Sequence, residues 1–130
     1  MSIFTASELA YLAQQKLGRL ATKAPGGTLQ NNPVGYFVNA EEGYIDIGGH
    51  GMGRSRKFHN VQADPQVSLV VDDLSTEQGW VVRGVEIRGR SEAIADVEPP
   101  MPGFSREIIR IYPERILSWG LDGSSRRNVA

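Results

Sequence analysis

The run from Trp80 to Ala95 constrains this chain most. Val81, Val85, Ile87, Gly89, Ser91, Ala93 and Ala95 all fall on odd-numbered positions, the period of one face of a β-strand. A strand this long does not stay flat, and Gly84 and Gly89 supply points where it can bend, as strands do at barrel corners. Fifteen glycines and seven prolines in 130 residues favour turns over long helices elsewhere.

Shorter elements surround that strand. Thr5-Ala6-Ser7-Glu8 fits a capping box, with Leu9, Leu12 and Ala13 as the apolar stripe of a short helix ending near Lys16. Leu17 to Ala24 reads as a strand closed by the Pro25-Gly26-Gly27 turn. A second strand follows from Leu29 to Val38, where Pro33 calls for an edge or a bulge because proline cannot donate to a ladder. Glu41-Glu42-Gly43 turns the chain into the strand Tyr44 to Ile47. Phe58, Val61 and Gln62 suit a short helix, and Val67 to Val71 a further strand. Three prolines make Asp96 to Gly103 a loop. Phe104, Ile108, Ile109, Ile111 and Tyr112 then predict a helix stopped by Pro113, with Ile116 to Leu121 as the closing strand. The polar segment 122–130 is expected to be a mobile tail or to reach across to a partner. Residues 1–130 therefore read as one domain of mainly β (α+β) class, a small six-stranded barrel with short flanking helices.

Composition removes several function classes. Without cysteine there is no thiolate zinc site, thiol nucleophile or disulfide, and no metal-ligand set is expected. A balance of 14 basic against 15 acidic side chains leaves a formal charge of −1, so nothing global attracts nucleic acid or an anionic membrane. No apolar run approaches the roughly 18 residues of a membrane span, and no signal-peptide core opens the chain. The expected location is cytoplasmic. Any anion site must be local.

One segment offers such a site. Gly48 to Gly53 holds four glycines in six residues and leads into Ser55-Arg56-Lys57 at the start of a short helix. Amides at a helix N-terminus, a hydroxyl and two cations make a compact receptor for phosphate or carboxylate. On spacing alone the motif is weak, because a basic triplet is usually solvated surface. The segment fits neither a Walker A loop nor a dinucleotide fingerprint. Of the two histidines, His50 in the glycine loop is the better placed to donate a proton, and His59 reads as helix surface. Asp72 and Asp73 are neighbours on a strand and point to opposite faces, as do Arg83 and the pair Arg88 and Arg90.

The flanking residues carry a resemblance. Ser55-Arg56-Lys57-Phe58-His59-Asn60-Val61-Gln62-Ala63-Asp64-Pro65-Gln66-Val67-Ser68-Leu69 resembles the phosphate-binding helix and following strand of the pyridoxamine 5′-phosphate oxidase-like split β-barrel superfamily. The order of elements is also similar up to about Ala95, through Leu17-Gly18-Arg19-Leu20-Ala21-Thr22, Asn32-Pro33-Val34 and Ile87-Arg88-Gly89-Arg90-Ser91-Glu92. Pro113-Glu114-Arg115-Ile116-Leu117-Ser118-Trp119-Gly120 is more similar to the small deazaflavin-dependent branch. In the flavin mononucleotide-binding oxidases the second strand supplies an arginine and, five residues on, a lysine. Here Asn32 and Phe37 stand at those positions. The resemblance therefore implies a reductase using coenzyme F420, with a flavin mononucleotide oxidase or a non-catalytic F420-binding protein as alternatives. It further implies a cofactor site formed by Asn32, Pro33, Val34, Gly48, Gly49, His50, Ser55, Arg56, Lys57 and Trp119. The implied substrate is a conjugated small molecule, and the implied assembly is a homodimer with the cofactor between subunits.

Overall fold

The computed structural model describes residues 2–130. Its elements are α1 (Ala6–Gln14), β1 (Gly18–Lys23), β2 (Leu29–Asn39), β3 (Tyr44–Gly48), a 3₁₀ turn (Met52–Arg54), α2 (Arg56–Ala63), β4 (Gln66–Ser75), β5 (Val81–Ile94), β6 (Ile108–Leu121) and β7 (Gly123–Asn128). The capping box forms as expected. Thr5 Oγ1 accepts from the Glu8 amide at 3.1 Å, and Glu8 Oε1 accepts from the Thr5 amide at 2.9 Å.

All strands pair antiparallel in the order β3-β2-β1-β4-β5-β6-β7, and β3 also pairs with β6. That last pairing sets Ile45 opposite Ile111 and Ile47 opposite Ile109, closing six strands into a barrel with β7 outside it. The barrel is filled by branched aliphatic side chains on alternate positions, among them Leu20, Leu69, Val71, Val85 and Ile87, all buried. Tyr11 and Leu12 of α1, and Phe58 and Val61 of α2, join the same core from the flanking helices.

Three expectations need correction. Residues 104–112 do not form a helix, because Ile108 to Tyr112 open β6. Three β-branched isoleucines in four positions favour the pleated surface over a helix, and Ile109 and Ile111 face into the barrel. Pro113 does not end an element either. It lies within β6, where the register with β5 shifts between Arg88 and Gly89 and Glu114 becomes the extra residue of a bulge. Gly89 permits that crossing, since a Cβ there would collide with the Tyr112 carbonyl.

Segment 122–130 is not a mobile tail: Gly123–Asn128 form β7 along β6. Besides that ladder, an ion pair with a buried carboxylate anchors it. Arg127 donates to both carboxylate oxygens of Glu8, at 2.9 and 2.6 Å, and to the Ile3 carbonyl at 2.7 Å. Ser118 of β6 donates to the same carboxylate at 2.7 Å.

Pro33 proves compatible with an interior strand. β3 stops opposite Gly35, so at Pro33 only β1 flanks β2. The parity of the charged strand residues also holds. Asp72 pairs with Arg19 on one face, while Asp73 meets Arg83 and the Tyr11 hydroxyl on the other.

Candidate functional site

Three segments meet at one rim of the barrel and enclose an open cleft of about 220 Å³. β2 contributes Pro33 and Val34, the loop after β3 contributes Gly48, Gly49 and His50, and the start of α2 contributes Ser55 and Lys57. The pairing of Gly35 with Gly48 brings the first two segments together. The third follows because the 3₁₀ turn folds Ser55 back so that its amide donates to the Met52 carbonyl at 3.0 Å.

The polar groups have distinct roles. Ser55 is the N-cap of α2, its Oγ accepting from the Phe58 amide at 3.3 Å and donating to the Met52 carbonyl at 2.6 Å. Its hydroxyl thus spends its hydrogen within the chain. Arg56 and Lys57 open α2, and their own amides precede the first possible helical bond. Among the described residues the amides of His50 and Gly51 likewise have no protein acceptor. Nor do Arg54, Arg56 and Lys57 form an ion pair there, whereas Arg19, Arg83, Arg88, Arg106, Arg110 and Arg127 each hold a carboxylate. The rim therefore carries cations held in no ion pair beside unpaired N–H donors, the chemistry of an anion receptor.

Three predicted residues stand away from the cleft walls. Asn32 Oδ1 accepts from Gln30 Nε2 at 2.7 Å, and Gln30 Oε1 accepts from the buried Asn60 amide at 2.9 Å. Asn60 also donates to Thr22 Oγ1 at 3.0 Å, so this network ties α2 to β1 and β2. Arg56 is exposed on α2, next to Lys57. Trp119 belongs to β6 opposite Gly84, where a Cβ on the glycine would lie 2.5 Å from the indole ring.

The loop between β5 and β6 reaches the site, and sequence reasoning missed it. Gly103 accepts from His50 Nδ1 at 3.0 Å, which leaves Nε2 as the lone-pair nitrogen of the neutral ring. The Phe104 ring meets His50 edge-on at 4.9 Å and Phe37 at 6.2 Å. It also covers Gly48 so closely that a Cβ there would sit 2.8 Å from it. Phe37, at the position where the resemblance would place a cation, thus ends an aromatic row with Phe104 and His50. The only local signal was the position of Phe104 just after a proline-rich stretch, and no spacing along the chain connects residues 103–105 to 48–52. Among the described residues no three His, Asp or Glu side chains converge as a metal site, and no helix is long and apolar enough to cross a membrane.

Residues 4–128 match the family described as pyridoxamine 5′-phosphate oxidase. The chain belongs to this family. Within it, the chain is 43% identical over 127 residues to a 5a,11a-dehydrotetracycline/5a,11a-dehydrooxytetracycline reductase of Streptomyces rimosus subsp. rimosus, covering 97% of this chain and 89% of that one. The crystal structure of a conserved hypothetical protein from Mycobacterium tuberculosis superposes with a TM-score of 0.68 at 23% identity, covering 92% of this chain and 86% of that one. A structure described as an F420 reductase superposes with a TM-score of 0.64, also at 23% identity, over 88% and 98% of the two chains. The shared fold is the split β-barrel, and the reductase relative supports an oxidoreductase of this family.

Proposed function

We propose that the protein is a reductase that uses coenzyme F420 to deliver hydride to a conjugated organic substrate such as an enone. The observation that carries the reductase reading is the 43% identity, across nearly the whole chain, to a 5a,11a-dehydrotetracycline/5a,11a-dehydrooxytetracycline reductase. The chain's own residues suit the deazaflavin. Lys57, with the exposed Arg56 beside it on α2, binds its phosphate together with the open amides at the start of that helix. Neither Asn32 nor Phe37 adds a cation from β2, and both are engaged elsewhere, Asn32 with Gln30 and Phe37 with Phe104. A flavin phosphate held as in the oxidases would lack those two charge-assisted contacts, each worth about 1.5 to 3 kcal/mol.

Bound there, the deazaflavin supplies the hydride. The protein orients it and keeps water from one face. Pro33 and Val34 offer an apolar shelf, and the glycine backbone at 48–49 admits close approach. His50 is the candidate proton donor in its doubly protonated form: Gly103 accepts from Nδ1–H, so Nε2–H is the proton given up and the neutral ring is left behind.

At about 220 Å³ the cleft is smaller than the roughly 300 to 1,000 Å³ of an ordinary ligand site. The rest of the wall, in this reading, comes from a second subunit in a two-fold dimer. Titration of F420 and flavin mononucleotide side by side tests the cofactor, with tighter F420 binding expected. Equal or stronger flavin binding overturns it. Oxidation of reduced F420 by an added cyclic enone, read by absorbance, tests the reaction.

A further inference from the structure

We propose that Ser105 is a positioning residue of the cofactor loop, acting through the backbone of Gly49 and Met52 without lining the cleft itself; this deepens the F420 reading and rests on it. Ser105 lies in the connection from β5 to β6. Its amide donates to the Gly49 carbonyl at 2.8 Å, and its Oγ donates to the same carbonyl at 3.2 Å. The Oγ also accepts from the Met52 amide at 3.1 Å. One hydroxyl thus fastens both ends of the turn that carries His50 and Gly51.

The turn needs an external fastener. With four glycines among residues 48–53 it has the largest conformational entropy to lose and almost no side chains to hold it. Among the described residues, the hydrogen bonds that the backbone of residues 49–52 makes to a distant segment run to Ser105. Its neighbours press on the same turn without bonding its backbone. Phe104 covers Gly48, and Gly103 accepts from the His50 ring. Glu107 lies so close to Gly53 that a Cβ there would approach its carboxyl carbon to 2.6 Å. Without the hydroxyl, the Met52 amide loses its acceptor and the turn populates other shapes. Apparent affinity then falls by the fraction of molecules still in the binding shape.

The test compares wild type, Ser105→Ala and Ser105→Thr, which keeps the hydroxyl. Hydrogen exchange of the ligand-free protein reads the Met52 amide directly, F420 titration reads affinity, and thermal unfolding reads the barrel. The expected result is faster exchange at Met52 and about tenfold weaker F420 binding in Ser105→Ala, the scale of one or two neutral hydrogen bonds. Tm should stay within a few degrees of wild type, and Ser105→Thr should restore both losses. Affinity within twofold of wild type in Ser105→Ala overturns the proposal, as does a loss that Ser105→Thr shares. If wild type itself binds neither F420 nor flavin mononucleotide, the cofactor reading fails separately. Exchange at Met52 then decides alone: faster in Ser105→Ala and restored in Ser105→Thr supports Ser105 as the fastener, and unchanged exchange overturns it.

Discussion

At the scale of single residues, the cleft separates side chains that build it from side chains free to bind. Ser55 is committed to its helix cap and Asn32 to Gln30, so replacing either alters the scaffold. Lys57 is half-buried, lines the cleft and meets no carboxylate among the described residues. Lys57→Ala is therefore expected to weaken F420 binding by about 1.5 to 3 kcal/mol while leaving Tm nearly unchanged. Isothermal titration with the variant measures the first, calorimetry the second, and an unaltered dissociation constant would return Lys57 to the role of a solvated surface charge. Gly48→Ala acts differently. Its Cβ would press on the Phe104 ring at 2.8 Å and on Pro100 at 3.1 Å, so the β5–β6 loop must shift. Weaker binding in that variant should come with faster proteolysis near Met101.

At the scale of elements, β7 lies along the β6 edge and is tied to α1 through Glu8. Glu8 is wholly buried and accepts from Arg127, Ser118 and the Thr5 amide. Burial raises its pKa, but these hydrogen bonds and the nearby positive charge outweigh it and hold Glu8 below the ordinary carboxylate value of 4.5. Arg127→Ala leaves that carboxylate buried without its cation. Breaking a buried pair costs about 3 to 5 kcal/mol, and the partly exposed guanidinium places this one near the lower figure. Urea unfolding at neutral pH should show the loss. A group whose folded pKa is depressed contributes stability above its unfolded pKa and loses it as pH falls through the folded value. Wild type should thus hold its stability down to the ordinary carboxylate range and decline below it. The gap between wild type and Glu8→Gln should be large at neutral pH and shrink in acid; a gap independent of pH would exclude Glu8 as the titrating group.

At the scale of the whole molecule, the barrel leaves part of its surface uncovered. Val67, Leu69 and Val71 face inward and are buried, but Val70 faces out and is only half-covered, with neither helix packed broadly on β4. Leu74, Trp80 and Val82, at the far end of the β4–β5 hairpin, are exposed by 43%, 84% and 59%. Such apolar surface suits the proposed dimer, and an obligate pair would bury at least roughly 2,000 Å². Light scattering at micromolar concentration should give about twice the 14.2 kDa chain mass. Val70→Asp should shift it towards one chain mass and weaken F420 binding together. A wild-type monomer with full F420 affinity would exclude a shared site.

Local patterns in the sequence determined the period-2 strands, the capping box at Thr5 and Glu8, the glycine turns and the cation-bearing start of α2. Each depends on neighbours within a few residues, where side-chain spacing and backbone preference dominate. Spacing alone left Ser55-Arg56-Lys57 as either an anion site or plain surface, and resemblance tipped it towards a phosphate site. What only the tertiary structure decided were the long-range partners. Ile108 to Tyr112 are compatible with a helix locally, but closure against Ile45 and Ile47 rewards the strand by burying both isoleucine rows. The polar residues 123–128 carry no strand signal, because what holds them is a β6 edge and the charge of Glu8 more than a hundred residues away. Ser105 reaches Gly49 and Met52 only because β5 and β6 deliver its loop to that rim, a placement set by barrel closure and invisible to local spacing.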